Sequence, residues 1–221
     1  MILRNLFPKV FVLAFCFISL SVQGQQKVDI DALEEENPGL FSGRYFRGGV
    51  GFSGASQDFG TLYEGISVNP FNVNLEFGTR IKRKYGIYFG MCFNIMLNET
   101  SYGSGYTGIQ TSIETWTQSS INLGGLLYLK GGNSYFAPEI GVAVGNIETT
   151  EMYEEGSLGI HSALKYGYDW HILNKFYIGA QAYIAYDYCW HDEDGIDPET
   201  GEVLTVNTFM YGVNLTIKIG K

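Results

Sequence analysis

From residue 44 to the C-terminal end, apolar and polar residues alternate with a period of two in eight successive segments. Segment one, 44–54, places Phe46, Val50 and Phe52 on one face. Segment two, 68–81, sets Phe71, Val73, Leu75, Phe77 and Ile81 against Asn72, Asn74, Glu76 and Arg80. Segment three, 85–97, aligns Tyr85, Ile87, Phe89, Met91, Phe93, Ile95 and Leu97. Segments four (113–129) and five (135–145) repeat the pattern through Ile121, Leu123 and Leu127, then Phe136, Ile140, Val142 and Val144. Segments six (158–172), seven (176–190) and eight (205–219) continue the alternation, with Ile178, Ile184 and Tyr186 in one and Phe209 to Ile219 in another. Strands of soluble proteins usually have about 5–6 residues. A tilted membrane-crossing strand needs about 9–11. Segments of 11 to 17 residues therefore predict an all-β fold, an eight-stranded antiparallel transmembrane β-barrel with up-and-down meander order. An even count brings both ends of the barrel to one side.

The connections alternate too. Segments two and three join through Lys82-Arg83-Lys84, four and five through 130–134, six and seven through 173–175. The other four connections, 55–67, 98–112, 146–157 and 191–204, are long. Short turns at one end and long loops at the other are the mark of outer-membrane barrels. Charge sorts the same way. The long connections hold 13 acids and no Lys or Arg, and the short turns hold five bases and no acid. Solvation explains charge in loops, but not this separation by sign.

Alternation alone does not say which face looks outward, since a lipocalin-like soluble barrel also has eight strands. The polar face carries Gly49, Gly51, Gly78, Gly90, Gly124, Gly141, Gly167, Gly179 and Gly212 among larger polar residues. An eight-stranded interior has room only for packed side chains, and mixed small and large groups suit it. The apolar face is too bulky to fit inside, and no Gly-x-Trp signature stands near the first segment. Aromatics near the segment ends agree: Tyr85, Phe136, Tyr168, Trp170 and Phe176 at the short-turn end, Phe71, Tyr186, Tyr188 and Trp190 at the other. Such rings favour bilayer interfaces.

Three domains follow. Residues 1–24 read as a signal peptide: Arg4 and Lys9, then an apolar run from Val10 to Val22, then Gln23-Gly24. That run is too short to span as a helix. Phe15 argues against lipidation at Cys16. Residues 25–43 form an acidic leader and 44–221 the barrel. The formal charge is -9, with 29 Gly, 16 Tyr, 15 Phe, 5 Pro and 3 Cys. This composition excludes a disordered chain and a disulfide framework. The absence of a basic stripe excludes nucleic acid as a partner.

With its signal sequence, eight segments, short basic turns and long loops, the chain resembles the small outer-membrane β-barrel family, including OmpA/OmpX-type and PorT-like barrels. Gly212-Val213-Asn214-Leu215-Thr216-Ile217 is similar to the terminal assembly signal of such barrels, although the chain ends in Gly220-Lys221 rather than an aromatic. The resemblance implies export and residence in the cell outer membrane. It implies no particular activity.

Inward charges should pair, because an isolated buried ion is costly. Counting outward from the turn at Asn174 places His161 opposite Asp187. Across the 146–157 connection Glu139 comes near Lys165. Across the first loop Arg47 comes near Glu76, with Arg80 one repeat further. These interior ion pairs predict a plugged lumen. Ser162 follows His161 and points to the other face, so the pair lacks a nucleophile, and a structural role outweighs catalysis. His171 and His191 are isolated, and no metal site or cofactor is expected. Cys92 and Cys189 lie on distant segments and are expected to be free thiols. Asp192, Glu193, Asp194, Asp197, Glu199 and Glu202 form a dense acidic loop. It does not match an EF-hand and reads as solvated, with divalent cations able to bridge it to lipopolysaccharide. The leading expectation is a monomeric outer-membrane barrel with a structural or surface-interaction role and no catalysis. The alternatives are a narrow transporter for small or hydrophobic solutes and, further off, a lipid-modifying enzyme.

Overall fold

The computed structural model describes residues 43–58, 66–82, 84–96, 100–103, 110–129, 132–149, 154–173, 175–191 and 205–220. The proposed signal, the leader up to residue 42 and the acidic loop 192–204 lie outside them. Ten strands are formed: β1 (Gly43–Asp58), β2 (Ile66–Val68), β3 (Phe71–Lys82), β4 (Tyr85–Met96), β5 (Thr100–Gly103), β6 (Gln110–Tyr128), β7 (Ser134–Thr149), β8 (Glu154–Leu173), β9 (Phe176–His191) and β10 (Thr205–Gly220). Eight of them are staves. They run β1-β3-β4-β6-β7-β8-β9-β10 in antiparallel order, and β10 pairs back onto β1, from Tyr45↔Gly220 to Asp58↔Asn207. Closure leaves no free sheet edge among the staves, and only a closed barrel satisfies every strand's backbone in lipid.

The faces divide as alternation requires. In β4 exposed and buried positions alternate without a break from Tyr85 to Met96, apart from a half-buried Met91. Leu123, Ile140 and Leu215 on the outside are 66%, 64% and 61% exposed, while Arg47, Asn72 and Asp187 inside are sealed from solvent. On β10 the outward apolar residues run from Phe209 to Ile219. The ten steps between them at about 3.4 Å each, tilted by about 40°, span about 26 Å, close to the apolar band of an outer-membrane barrel. Tyr168 departs from the expected lipid-facing set. It is buried, between small cross-strand neighbours Ser134 and Ala180, with the Trp170 ring 5.0 Å away.

The strands also reach further than the apolar signal. β1 continues to Asp58 and pairs with β2 through Ala55↔Val68. β5 forms a hairpin with β6, and β7 and β8 stay paired up to Glu148↔Glu154. The connections read as long loops are thus partly strand. Thr, Ser and Gln carry no apolar alternation, yet the backbone ladder needs none to continue beyond the membrane. Gly43, assigned to the leader, opens β1 opposite Arg80. At the other end the turns are tight. In the β6–β7 turn Gly132 adopts φ +77° and donates its N–H to Leu129 O at 2.9 Å, a backbone conformation that favours glycine.

Inside, side chains lie across glycines of the adjoining strand. A Cβ on Gly78, Gly124 or Gly167 would fall on the ring of Tyr45, Tyr88 or Tyr135. Small against large is how this narrow lumen is filled.

Candidate functional site

The lumen holds an unbroken chain of eight ionisable side chains of alternating sign. It starts at Asp187 on β9, whose Oδ1 lies 2.5 Å from His161 Nδ1 on β8. His161 Nε2 lies 3.3 Å from Glu139 Oε1 on β7. Glu139 Oε2 accepts from Lys165 Nζ at 2.9 Å, and Lys165 also reaches Glu76 Oε1 on β3 at 3.2 Å. Glu76 Oε2 accepts from Arg47 Nη1 at 2.6 Å. Arg47 Nη2 donates to Asp169 Oδ2 at 2.8 Å, and Lys218 Nζ donates to the same oxygen at 2.6 Å. All eight side chains are buried.

The register explains the links between neighbouring staves, and closure of the barrel explains those that cross the ring. His161↔Asp187 and Arg47↔Glu76 are direct cross-strand partners. Lys165 pairs with Ala137, two residues from Glu139 on the same face. The link from Lys165 to Glu76 joins staves on opposite sides of the ring. The Arg80 guanidinium lies 3.8 Å from the centroid of the Tyr128 ring, nearer the turns. Asp169 and Lys218 were not singled out from the sequence. Their signal was parity: Asp169 shares a face with His161 and Lys165, and Lys218 shares one with Asn214.

Neutral groups fill the remaining bonding capacity. Tyr88 donates its hydroxyl to Glu139 Oε2 at 2.8 Å. Gln181 donates to Glu76 Oε1 at 3.3 Å and accepts from Asn74 at 3.0 Å. Gln118 donates to Asp187 Oδ2 at 2.8 Å. The Tyr135 ring lies 4.4 Å from the Arg47 guanidinium, and the Tyr177 ring 4.2 Å from Lys218 Nζ, a placement that stabilises the cations further. A cavity of about 10 Å³ touches Asn74, Cys92, Glu139, His161 and Lys165, space for about one water.

Toward the long-loop end the filling becomes apolar. Trp116, Met96, Met210, Val206, Val68 and Cys189 form one buried cluster, and Trp116 donates its indole N–H to Gln57 Oε1 at 2.9 Å. Cys92 and Cys189 are both buried and form no disulfide.

Chemically the site stores charge rather than offering it. Both ring nitrogens of His161 face carboxylate oxygens, and the ring with a proton on each is the form that donates to both. Ser162 points outward and donates to Tyr186 O at 3.2 Å. His171 lies apart from the chain, its ring 5.0 Å from that of Tyr177.

No family model matches the chain, and no curated protein matches it. Solved structures do. Neisserial surface protein A is similar at 11% identity with a TM-score of 0.51, over 79% of this chain and 96% of that one. The fold is that of a small outer-membrane β-barrel. Ail, the attachment invasion locus protein of Yersinia pestis, aligns at 13% identity with a TM-score of 0.43, over 78% of this chain and 98% of that one. The outer membrane protein OprG from Pseudomonas aeruginosa aligns at 11% identity with a TM-score of 0.39, over 81% and 96%. In this outer-membrane barrel fold, the lumen just described occupies the place where a wider barrel would hold water.

Proposed function

We propose that this protein is a closed barrel of the outer membrane, with a structural or surface-interaction role and no catalytic or conducting activity. The observation that carries the reading is the filled lumen. The charge chain from Asp187 to Lys218 crosses the ring, and the Trp116 cluster lies above it. A narrow transporter needs a continuous path, and these two layers stand across it. A lipid-modifying enzyme needs an accessible nucleophile and base, whereas His161 is sealed in the lumen between two carboxylates and Ser162 faces away. The exposed apolar belt supports lipid as the surrounding medium. The working surface of such a protein is then its loop end. There the acidic run Asp192 to Glu202 meets partners directly, or meets surface lipopolysaccharide through divalent cations.

Conductance across a planar lipid bilayer tests the central claim. The refolded, detergent-extracted protein should migrate differently on a gel before and after boiling, and should give no stable current steps in concentrated KCl. Large, stable steps would overturn the closed lumen. Lipid A from cells that express the protein should keep its mass spectrum, and a new mass would overturn the non-catalytic reading.

A further inference from the structure

Among the described residues, the short-turn end carries exposed charge of a single sign. Arg44 at the start of β1, Lys84 between β3 and β4, and Lys175 between β8 and β9 are exposed. The acids of the same half, Glu76, Glu139 and Asp169, are buried and paired within the lumen. Among the described residues of this end no acid is exposed.

Two of the three bases are also fixed. Tyr128 N–H donates to Lys84 O at 2.8 Å, and Gly220 N–H donates to Lys175 O at 2.9 Å. Neighbouring strands thus pin the backbones that present these side chains. Their height is set by the apolar face. Phe46 stands two residues beyond Arg44, Tyr85 directly follows Lys84, and Leu173 stands two residues before Lys175; all three are exposed. At about 3.3 Å per residue, each base lies within about 7 Å of lipid-facing side chains along its strand. That is headgroup height. Long basic side chains at such a level keep their stems on the apolar surface and lift the charge to the interface.

We propose that this rim binds the phosphates of anionic phospholipids in the leaflet that it faces, and so gathers them around the barrel. The inference rests on the membrane residence argued above. It concerns the end opposite the acidic loops and a different class of partner. Bases near a bilayer surface each contribute attraction to anionic lipid, and salt screens it.

The tryptophans supply the test. Trp170, half-buried, shares the outward parity of exposed Ile172 at the short-turn end, Trp190 is exposed at the loop end, and Trp116 is buried in the lumen. The mature chain with Trp190→Phe is reconstituted into vesicles containing either brominated phosphatidylglycerol or brominated phosphatidylcholine, and quenching of Trp170 is read. Phosphatidylglycerol should be favoured about fivefold at low salt, the effect of roughly one effective base. The preference should vanish in 1 M NaCl, where the screening length is about 3 Å. Trp190, read in the Trp170→Phe variant, should show no preference. Arg44→Gln, Lys84→Gln and Lys175→Gln together should erase the preference at Trp170. Equal quenching by both lipids overturns the proposal, as does a preference that survives in the triple variant. Gel migration of the same vesicles before and after boiling separates the two readings. An inserted barrel without lipid preference loses only the rim site, whereas a chain that forms no barrel in vesicles loses membrane residence and the rim site together.

Discussion

Arg47 on β1 and Glu76 on β3 are direct cross-strand partners, and their side chains meet at 2.6 Å with neither in contact with solvent. The pair does not stand alone. Arg47 also holds Asp169, and Glu76 also holds Lys165, so each residue links two sections of the lumen chain. Removing one partner of a buried pair leaves an uncompensated charge, at about 3–5 kcal/mol. Arg47→Met should therefore lower the urea midpoint of the folded barrel in detergent micelles strongly. Arg47→Met combined with Glu76→Gln should recover part of the loss. A single variant as stable as the parent would show that the chain does not hold the lumen together.

His161 makes two contacts of unequal consequence. Glu139 keeps Lys165 and Tyr88 if the imidazole is lost, whereas among the described residues Asp187 keeps only the Gln118 amide as a side-chain donor. The His161–Asp187 coupling should therefore exceed the His161–Glu139 coupling. Contacting residues in one network couple by about 0.5–3 kcal/mol. Double-mutant cycles with His161→Leu, Asp187→Asn and Glu139→Gln, read by urea unfolding, give both values. Equal or reversed couplings would contradict the geometry.

Much of this arrangement is legible in the chain, for a definite reason. Period-two alternation fixes which residues face inward, and a tight turn fixes which of them meet across two strands. His161 with Asp187 is the plain instance, because the Asn174 turn leaves few registers open. The distant links are another matter. Nothing local in the sequence relates Lys165 to Glu76, 89 residues apart, or Arg47 to Asp169, 122 residues apart. They meet because eight tilted strands close into a ring of one particular width. Strand ends were hard to read for the opposite reason. Beyond the membrane the ladder continues through Thr, Ser and Gln, whose alternation carries no apolar contrast. Asp169 and Lys218 had the right parity but no neighbour across a short turn to mark them.

The two thiols report on closure of the lumen. Cys92 and Cys189 are 9% and 1% exposed, on staves β4 and β9. A bulky maleimide should label neither in the folded barrel and both after boiling in detergent. Mass spectrometry of the intact protein counts the adducts. Rapid labelling of Cys189 without boiling would mean that the Trp116 cluster does not close the loop end.

Glycines of the staves should respond differently to a methyl group. At Gly51 a Cβ would fall on the carbonyl oxygen of Val213 in β10, and backbone has little room to retreat. At Gly124 it would fall on the Tyr88 ring, a side chain that can rotate at the expense of its bond to Glu139. At Gly48 the nearest atoms, on Leu75 and Phe46, are 3.8 Å away, an ordinary contact on the lipid face. Overpacking typically costs about 1–3 kcal/mol. The order of destabilisation should be Gly51→Ala largest, Gly124→Ala intermediate and Gly48→Ala near zero. Folding yield and urea midpoint in micelles measure it. A Gly48→Ala variant as damaged as Gly51→Ala would mean that the assignment of inner and outer faces on β1 is wrong.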